Sequence, residues 1–188
     1  AAPGLDPQLV TQERTAIERV LDRLLHVERL PANAVQVLGA VPSAPAGVTP
    51  RLFFGNGQLY ILTDALYRLD AGGTRLVRLL GPGDRVDGVE VGTLVGAAWD
   101  EGVPVAFDGS VAYRFDPTTA RWSAIPVGTF GAPYQNVAAV GTFTGNLYLL
   151  QPQSGQILRF LSGSYQNLPE DWTGGQWSDR LRAAVDFE

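Results

Sequence analysis

The chain has 188 residues, of which 45% are apolar and 18% charged, a balance typical of a folded protein rather than a disordered one. Its net charge of −5 and its scattered basic residues, all 14 of them arginine, exclude a surface built to follow a nucleic acid backbone. The absence of cysteine excludes disulfides, thiolate metal sites and a cysteine nucleophile, and no apolar run is long enough to cross a membrane.

The first predicted element is an amphipathic helix within residues 1–33. Asp6-Pro7 is a favourable helix start, because the Asp carboxylate accepts amide hydrogens and proline fits the first turn. No Gly or Pro follows until Pro31. Apolar residues recur on one helical face; they are Val10, Ile17, Val20, Leu21, Leu24, Leu25 and Val27. The favoured interpretation is a helix packed on its own domain, and the alternative is a connector from an upstream domain or membrane anchor.

The strongest pattern in the chain is an internal repeat of about 45 residues, and a repeat of this length decides the fold. An arginine follows the same apolar pattern in three units, at Arg68, Arg114 and Arg159, with intervals of 46 and 45 residues. A second landmark precedes each unit as a pair of small residues; the pairs are Ala97-Ala98, Ala138-Ala139 and Ala183-Ala184. Two landmarks with nearly the same period indicate a repeated structural unit.

Each unit is predicted to contain four short strands separated by turn residues. In the middle unit the predicted strands are Thr93–Trp99, Val103–Phe107, Val111–Phe115 and Trp122–Ile125. Asp108-Gly109 between two apolar runs predicts a tight hairpin with both turn residues at positive φ. Four strands in about 45 residues are the pattern of a β-propeller blade, whose innermost strand carries small residues because blades crowd near the axis.

The predicted fold is therefore all-β, with about three and a half four-stranded blades behind one amphipathic helix. Residues 34–188 form the partial propeller, with blades at approximately 50–81, 93–126 and 137–168 and the start of another at 183–188. Propellers close with about four to eight blades, so this array has open sheet edges. The favoured explanation is a piece of a longer protein, consistent with a first residue, Ala1, that is not Met. The alternatives are ring closure by a second copy and an open array capped by the helix.

The stretches Asn146–Leu150 and Tyr113–Trp122 resemble blades of the NHL, quinoprotein-like and kelch group of propellers. The similarity covers residues 50–188. A helix that leads into a propeller also resembles the region beyond the membrane span in bacterial signalling proteins such as metal-dependent serine/threonine phosphatases. This resemblance implies an extracytoplasmic module, periplasmic or on the cell surface, although no phosphatase motif lies in the chain.

Few residues are available for catalysis or metal binding. His26 is the only histidine, and a lone histidine without a second ligand or a nucleophile indicates neither a zinc site nor a catalytic triad. Asp84, Asp87 and Glu90 lie three residues apart between the first two blades, where they could bind calcium, but a solvated loop is the favoured interpretation. We therefore expect no catalytic residue, no metal site and no cofactor, with calcium binding left open.

The predicted binding surface is a set of loops at one rim of the propeller. Its three segments, Gly81–Glu90, Gly128–Gln135 and Glu170–Trp177, are expected at equivalent connections. The predicted exposed contacts are Tyr134, Trp172 and Trp177, with Asp84 and Asp87 as further candidates. Other aromatic residues recur at matching repeat positions and are predicted to fill the core between blades; they are Tyr60, Tyr67, Tyr113, Trp122, Tyr148 and Tyr165.

These observations favour a non-enzymatic recognition or scaffolding module that binds a protein or a glycan through its rim loops. One alternative is a hydrolase or lyase with carboxylates lining the propeller channel, which the Ala, Val and Leu residues of the innermost strands disfavour. Another is a structural module that self-associates through its open sheet edges.

Overall fold

The computed structural model describes residues 41–186 and, nearer the N terminus, residues 8, 12–14, 16, 17 and 20. The chain divides into two compact units, residues 1–37 and 38–188. Every described residue of the first unit is helical, which confirms the predicted helix at those positions. Ile17 and Val20 of its apolar stripe are exposed. The rest of this predicted helix, His26 included, lies outside the described residues. No described helix is long and apolar enough to cross a membrane.

The second unit contains three four-stranded antiparallel sheets, each formed by consecutive strands. These are the three predicted blades. Blade 1 consists of β1 Arg51–Gly55, β2 Gln58–Leu62, β3 Leu66–Leu69 and β4 Leu76–Leu80; a two-stranded hairpin of β5 Arg85–Val86 and β6 Val89–Glu90 follows. Blade 2 consists of β7 Gly96–Asp100, β8 Val103–Phe107, β9 Val111–Asp116 and β10 Arg121–Pro126; blade 3 consists of β11 Ala139–Phe143, β12 Asn146–Gln151, β13 Gln156–Phe160 and β14 Glu170–Asp171.

The first strand of each blade packs against the first strand of the next. Strands β1, β7 and β11 are neighbours in this order, and the Thr142 hydroxyl of β11 donates to the Trp99 carbonyl of β7 at 2.7 Å. The three strands therefore form the inner row of the array. This arrangement confirms the predicted propeller architecture over the described blades.

The turn between the first two strands has the same backbone conformation in all three blades. Its two residues have φ of 50° and 70° in Asn56-Gly57, 43° and 97° in Glu101-Gly102, and 50° and 75° in Thr144-Gly145. Two successive residues at positive φ give a tight turn whose twist matches that of the strands. Counting back from these turns places Val140, and not Ala138, at the position of Ala97. The pairs of alanines are therefore not equivalent, and this part of the sequence alignment was wrong.

The Asp108-Gly109 turn joins β8 to β9 as predicted, but its conformation differs from the prediction. Only Gly109 of the two has positive φ, at 98°. The Asp108 carboxylate accepts the amide hydrogens of Ser110 at 3.0 Å and Val111 at 2.8 Å. The side chain thus supplies two of the turn's hydrogen bonds, in addition to the backbone bond from the Asp108 amide to the Val111 carbonyl at 3.2 Å.

The core lies between the blades in two layers. The layer between blades 1 and 2 includes Tyr60, Leu62 and Tyr113, with Trp122 packed against its edge. The layer between blades 2 and 3 includes Phe107 and Leu149; its other members include Phe160 and Tyr165. The prediction of core between blades is therefore confirmed for Tyr60, Tyr113, Trp122 and Tyr165. Tyr67 and Tyr148 are buried in two smaller clusters, on faces outside these two layers.

The predicted fourth strand at 183–188 is not formed over Ala183–Asp186, the part that the structure describes. A short helix, Ser178–Leu181, precedes it. The amides of Ala183 and Ala184 donate to the Arg180 and Leu181 carbonyls, which continues the helical turn. Leu181 and Ala184 pack against the outer face of blade 3. This segment therefore packs on the face of blade 3 that is turned away from blade 2.

Candidate functional site

Asp84 and Asp87, two of the predicted binding residues, hold the connection between blades 1 and 2 in place. Asp84 accepts two contacts from Arg78 Nη1, at 3.0 and 2.8 Å, and one from the Gly81 amide at 2.9 Å. Asp87 accepts the amide hydrogen of Ala124, on the outer strand of blade 2, at 2.9 Å. Both carboxylates are thus engaged within the protein. Among the described residues, no group of three acidic or histidine side chains could hold a metal ion.

Tyr134 does not lie on the surface as the sequence predicted. It is only 7% exposed and belongs to the core between blades 2 and 3. Its ring packs edge-on against Phe160, with 5.7 Å between ring centroids, and its hydroxyl donates to the Gly128 carbonyl at 2.9 Å. The prediction of an exposed contact was wrong, because a connection near the core folds its aromatic residue inward when the hydroxyl finds a partner.

Trp172 and Trp177 are exposed, at 54% and 59%. The Trp172 ring packs edge-on against Tyr148, with centroids 5.4 Å apart. The Arg180 guanidinium lies 5.0 Å from the Trp177 ring centroid, a distance typical of a cation–π contact. Each indole is therefore held by one neighbour while much of its surface faces solvent.

Phe143 extends this exposed aromatic set on blade 3. Gly141 lies opposite Tyr148 in the β11–β12 register, and side chains alternate along a strand. Phe143 therefore shares a face with Tyr148, the residue that holds Trp172, and it is 68% exposed. We call the exposed Trp172 and Trp177 the tryptophan surface. Phe143 was not among the contacts predicted from the sequence. The available signal was its place as the fifth residue of an inner strand, where blade 1 has Gly55.

The three predicted rim segments are not equivalent. Gly81–Glu90 contains the β5–β6 hairpin, whereas the connection Gly128–Gln135 has no strand. Glu170–Asp171 is the outer strand of blade 3, so the third segment begins inside a blade. The loop between β13 and β14 is longer than the loop between β9 and β10, so this strand comes later in the sequence than the repeat predicts.

The repeated arginines lie on equivalent faces of the three blades, but each has a different partner. Arg114 forms an ion pair with Asp100, which is buried and also accepts the Gly145 amide of blade 3 at 3.3 Å. Arg159 binds Glu170 at 2.5 Å. Arg68 lies beside Tyr60, and this charge opposes the effect of burial, which raises the Tyr60 pKa. The arginine is thus the same in all three blades, whereas the residue that it contacts differs from blade to blade.

The buried Asp100 carboxylate and two buried tyrosines form hydrogen bonds within the protein. The Asp100 carboxylate binds the Gly145 amide in the inner turn of blade 3. Burial, helped by the nearby Asp100 charge, raises the pKa of Tyr165 to about 12, and its hydroxyl donates to the Gly145 carbonyl at 2.5 Å. Burial and the hydrogen bond to Asp108 raise the pKa of Tyr113. These phenols are therefore neutral hydrogen-bond donors at ordinary pH.

The chain is similar in structure to several propeller proteins. Virginiamycin B lyase from Staphylococcus aureus is 14% identical, with a TM-score of 0.43, over 65% of this chain and 40% of the lyase chain. YCF48 bound to D1 peptide is 21% identical, with a TM-score of 0.42, over 75% of this chain and 44% of the other. A chain of the nidogen/laminin complex is 16% identical, with a TM-score of 0.41, over 61% of this chain and 44% of the other. The chain thus spans less than half of each. No protein-family model and no curated protein sequence matches it.

Proposed function

We propose that the chain is a non-enzymatic recognition module that binds a protein partner through the tryptophan surface of blade 3. The observation that carries the proposal is the exposure of Trp172 and Trp177 on a segment that is packed against a rigid blade. Tryptophan is enriched among the residues that dominate binding energy, because a fixed ring loses little conformational entropy on binding. Large aromatic groups that are exposed on a rigid support are more typical of an interaction site than of an ordinary surface loop.

The test is a selection of peptides from a random library displayed on phage, with the folded chain as target and a glycan array in parallel. For selected peptides, Trp172→Ala or Trp177→Ala is expected to weaken binding by at least about tenfold, the size of a typical interface hot spot. The control is Phe54→Ala, which removes an exposed aromatic side chain from blade 1. All variants are checked for an unchanged unfolding transition.

Two outcomes would overturn the proposal. Selected peptides that bind Phe54→Ala as weakly as the tryptophan variants would indicate general adhesion to apolar surface. A glycan that binds in a tryptophan-dependent way, while no peptide does, would move the function to carbohydrate recognition.

The proposed setting is a larger bacterial signalling protein with this module outside the cytoplasm, residues 1–33 as the connector and 34–188 as the propeller segment. The resemblance of the helix and blades to such regions supports this setting. Fractionation of cells that express the protein from its own gene tests it, and recovery in the cytoplasm alone would contradict it.

A further inference from the structure

A second surface, formed by blades 1 and 2, carries a different chemistry from the tryptophan surface of blade 3. A cavity of about 560 Å³ opens between β4, the β5–β6 hairpin and β10. Three arginines and one tryptophan line it: Arg78, Arg85, Arg121 and Trp122. In a chain of net charge −5, such a concentration of arginine is a local exception.

The two carboxylates in this cavity are already used by the protein. Asp84 binds Arg78 and the Gly81 amide. Asp87 binds the amide of Ala124. The charge of Arg78 is therefore neutralised by Asp84, which leaves the charges of Arg85 and Arg121 to be considered.

Arg85 and Arg121 have no carboxylate within ion-pair distance among the described residues, and both are exposed. Each has an acidic residue opposite it in the strand register: Glu90 for Arg85 and Asp116 for Arg121. Asp116 instead accepts the Thr118 amide and the Thr119 hydroxyl, both at 2.8 Å. The two guanidinium groups thus keep their donors available to a carboxylate from outside.

Trp122 supplies the apolar wall of the cavity. Its ring lies 5.4 Å from Phe115, centroid to centroid, and it packs against the core between blades 1 and 2. The wall is therefore fixed before a ligand arrives, which reduces the entropy lost on binding.

The backbone beside the cavity favours an extended peptide. Strand β10 is the outer strand of blade 2, so its free edge presents unpaired main-chain groups. The Ala124 amide on that edge is taken by Asp87, and Pro126, two residues on, has no amide hydrogen. Trp122, two residues before Ala124, presents its main chain on the same edge. The open part of the edge is thus the part beside Arg121.

We propose that this cavity binds an acidic peptide segment in which two carboxylates flank an apolar side chain. Arg85 and Arg121 bind the carboxylates, Trp122 contacts the apolar side chain, and the Trp122 main chain pairs with the peptide backbone. A carboxylate suits the planar donor pattern of arginine. The site is independent of the tryptophan surface, because none of its lining residues belongs to blade 3.

The test uses the whole chain, labelled with ¹⁵N, and the peptide acetyl-Glu-Leu-Glu-amide as probe. Binding is expected to shift the Trp122 indole signal while those of Trp172 and Trp177 stay in place, so the result is separable from the proposed protein-binding function. Arg85→Gln and Arg121→Gln are each expected to weaken binding by at least about tenfold, since each removes a charged hydrogen-bond donor. Arg75→Gln, an exposed arginine outside the cavity, is the control and is expected to leave binding unchanged.

The overturning results are equally specific. Equal binding of acetyl-Gln-Leu-Gln-amide would show that the arginines do not select carboxylates. Equal weakening by Arg75→Gln would show general attraction between charges. The same Trp122 shift with glucuronate or inorganic phosphate, at lower concentration than the peptide, would assign the cavity to a small anion.

Discussion

The indole ring of Trp99 occupies the space that any side chain at Gly55 would need. A methyl group on Gly55 would overlap the Cδ2, Cε3 and Cε2 atoms of that ring. A similar contact joins blades 2 and 3, where the Val140 side chain fills the space beside Gly96. At each inner contact, a glycine of one blade thus receives a large side chain from the next.

Gly55→Ala is expected to lower the free energy of unfolding by about 1–3 kcal/mol, because an added carbon in a filled core forces its neighbours to shift. Urea denaturation followed by tryptophan fluorescence measures this. Gly72→Ala is the matched control, since a methyl group there meets no atom closer than 3.7 Å. Equal losses in the two variants would show that glycine's flexibility, and not the contact with Trp99, determines the cost.

Asp100→Ala is expected to cost about 2 kcal/mol of stability, because it leaves the Gly145 amide and the Arg114 guanidinium without their shared acceptor. The estimate is at the low end for a buried pair because the Arg114 side chain is 34% exposed. Glu101→Gln changes a charge on the next, exposed residue and is expected to leave the unfolding midpoint unchanged. A similar loss in Glu101→Gln would point to total charge rather than to the pair.

Stability is expected to fall as the pH rises from about 10 to about 12. Burial raises the pKa of both Tyr134 and Tyr165 to about 12. Tyrosine in the unfolded chain ionises near pH 10. In that window the unfolded chain has released protons that the folded chain keeps, so the stability that is fully present below pH 10 is lost. The slope is about 1.4 kcal/mol per pH unit for each tyrosine.

Urea denaturation at a series of alkaline pH values measures this slope, and the phenolate absorbance of the folded chain reports the ionisation itself. Tyr134→Phe removes one of the tyrosines whose pKa is raised and should make the slope shallower. An unchanged slope in Tyr134→Phe would contradict the assignment.

Asp87→Asn is expected to preserve the structure, and Asp87→Ala is expected to lower stability by about 1 kcal/mol. Asp87 has φ of 50° and its side chain accepts the Ala124 amide. Asparagine tolerates this backbone conformation and retains an acceptor, whereas alanine loses both advantages. Thermal unfolding compares the two variants. Equal melting temperatures would show that the Ala124 amide finds another partner, such as water.

The blades could be predicted from the sequence because two features of the repeat are local. Strand pairs such as Val103–Phe107 and Val111–Asp116 are marked by apolar runs and by the turns between them. The arginines at a spacing of about 45 residues then fix the period. Each of these signals depends on neighbours within a few residues, which is the range over which a sequence pattern is informative.

The candidate sites depended on contacts between distant residues and were predicted less well. The sequence around Tyr134 is typical of an exposed loop, and its burial depends on Phe160, which is distant in the sequence. Arg85 and Arg121 lie 36 residues apart and carry no motif, so only the packing of β5 near β10 brings them to one cavity. Asp84 and Asp87 were the residues predicted here to bind a partner, but their carboxylates are engaged within the protein, whereas Arg85 and Arg121 have unused donors.

The shared inner turn combines a variable first residue with a constant second residue. The first residue is Asn56, Glu101 or Thr144, whereas the second is glycine in all three blades, at Gly57, Gly102 and Gly145. Thr144 keeps a left-handed backbone that β-branched residues rarely adopt, so the turn tolerates a strained first position. The spacing of these glycines is therefore a sharper marker of this blade than the identity of the residues around them. A search weighted on that spacing should detect distant relatives that residue-by-residue matching misses.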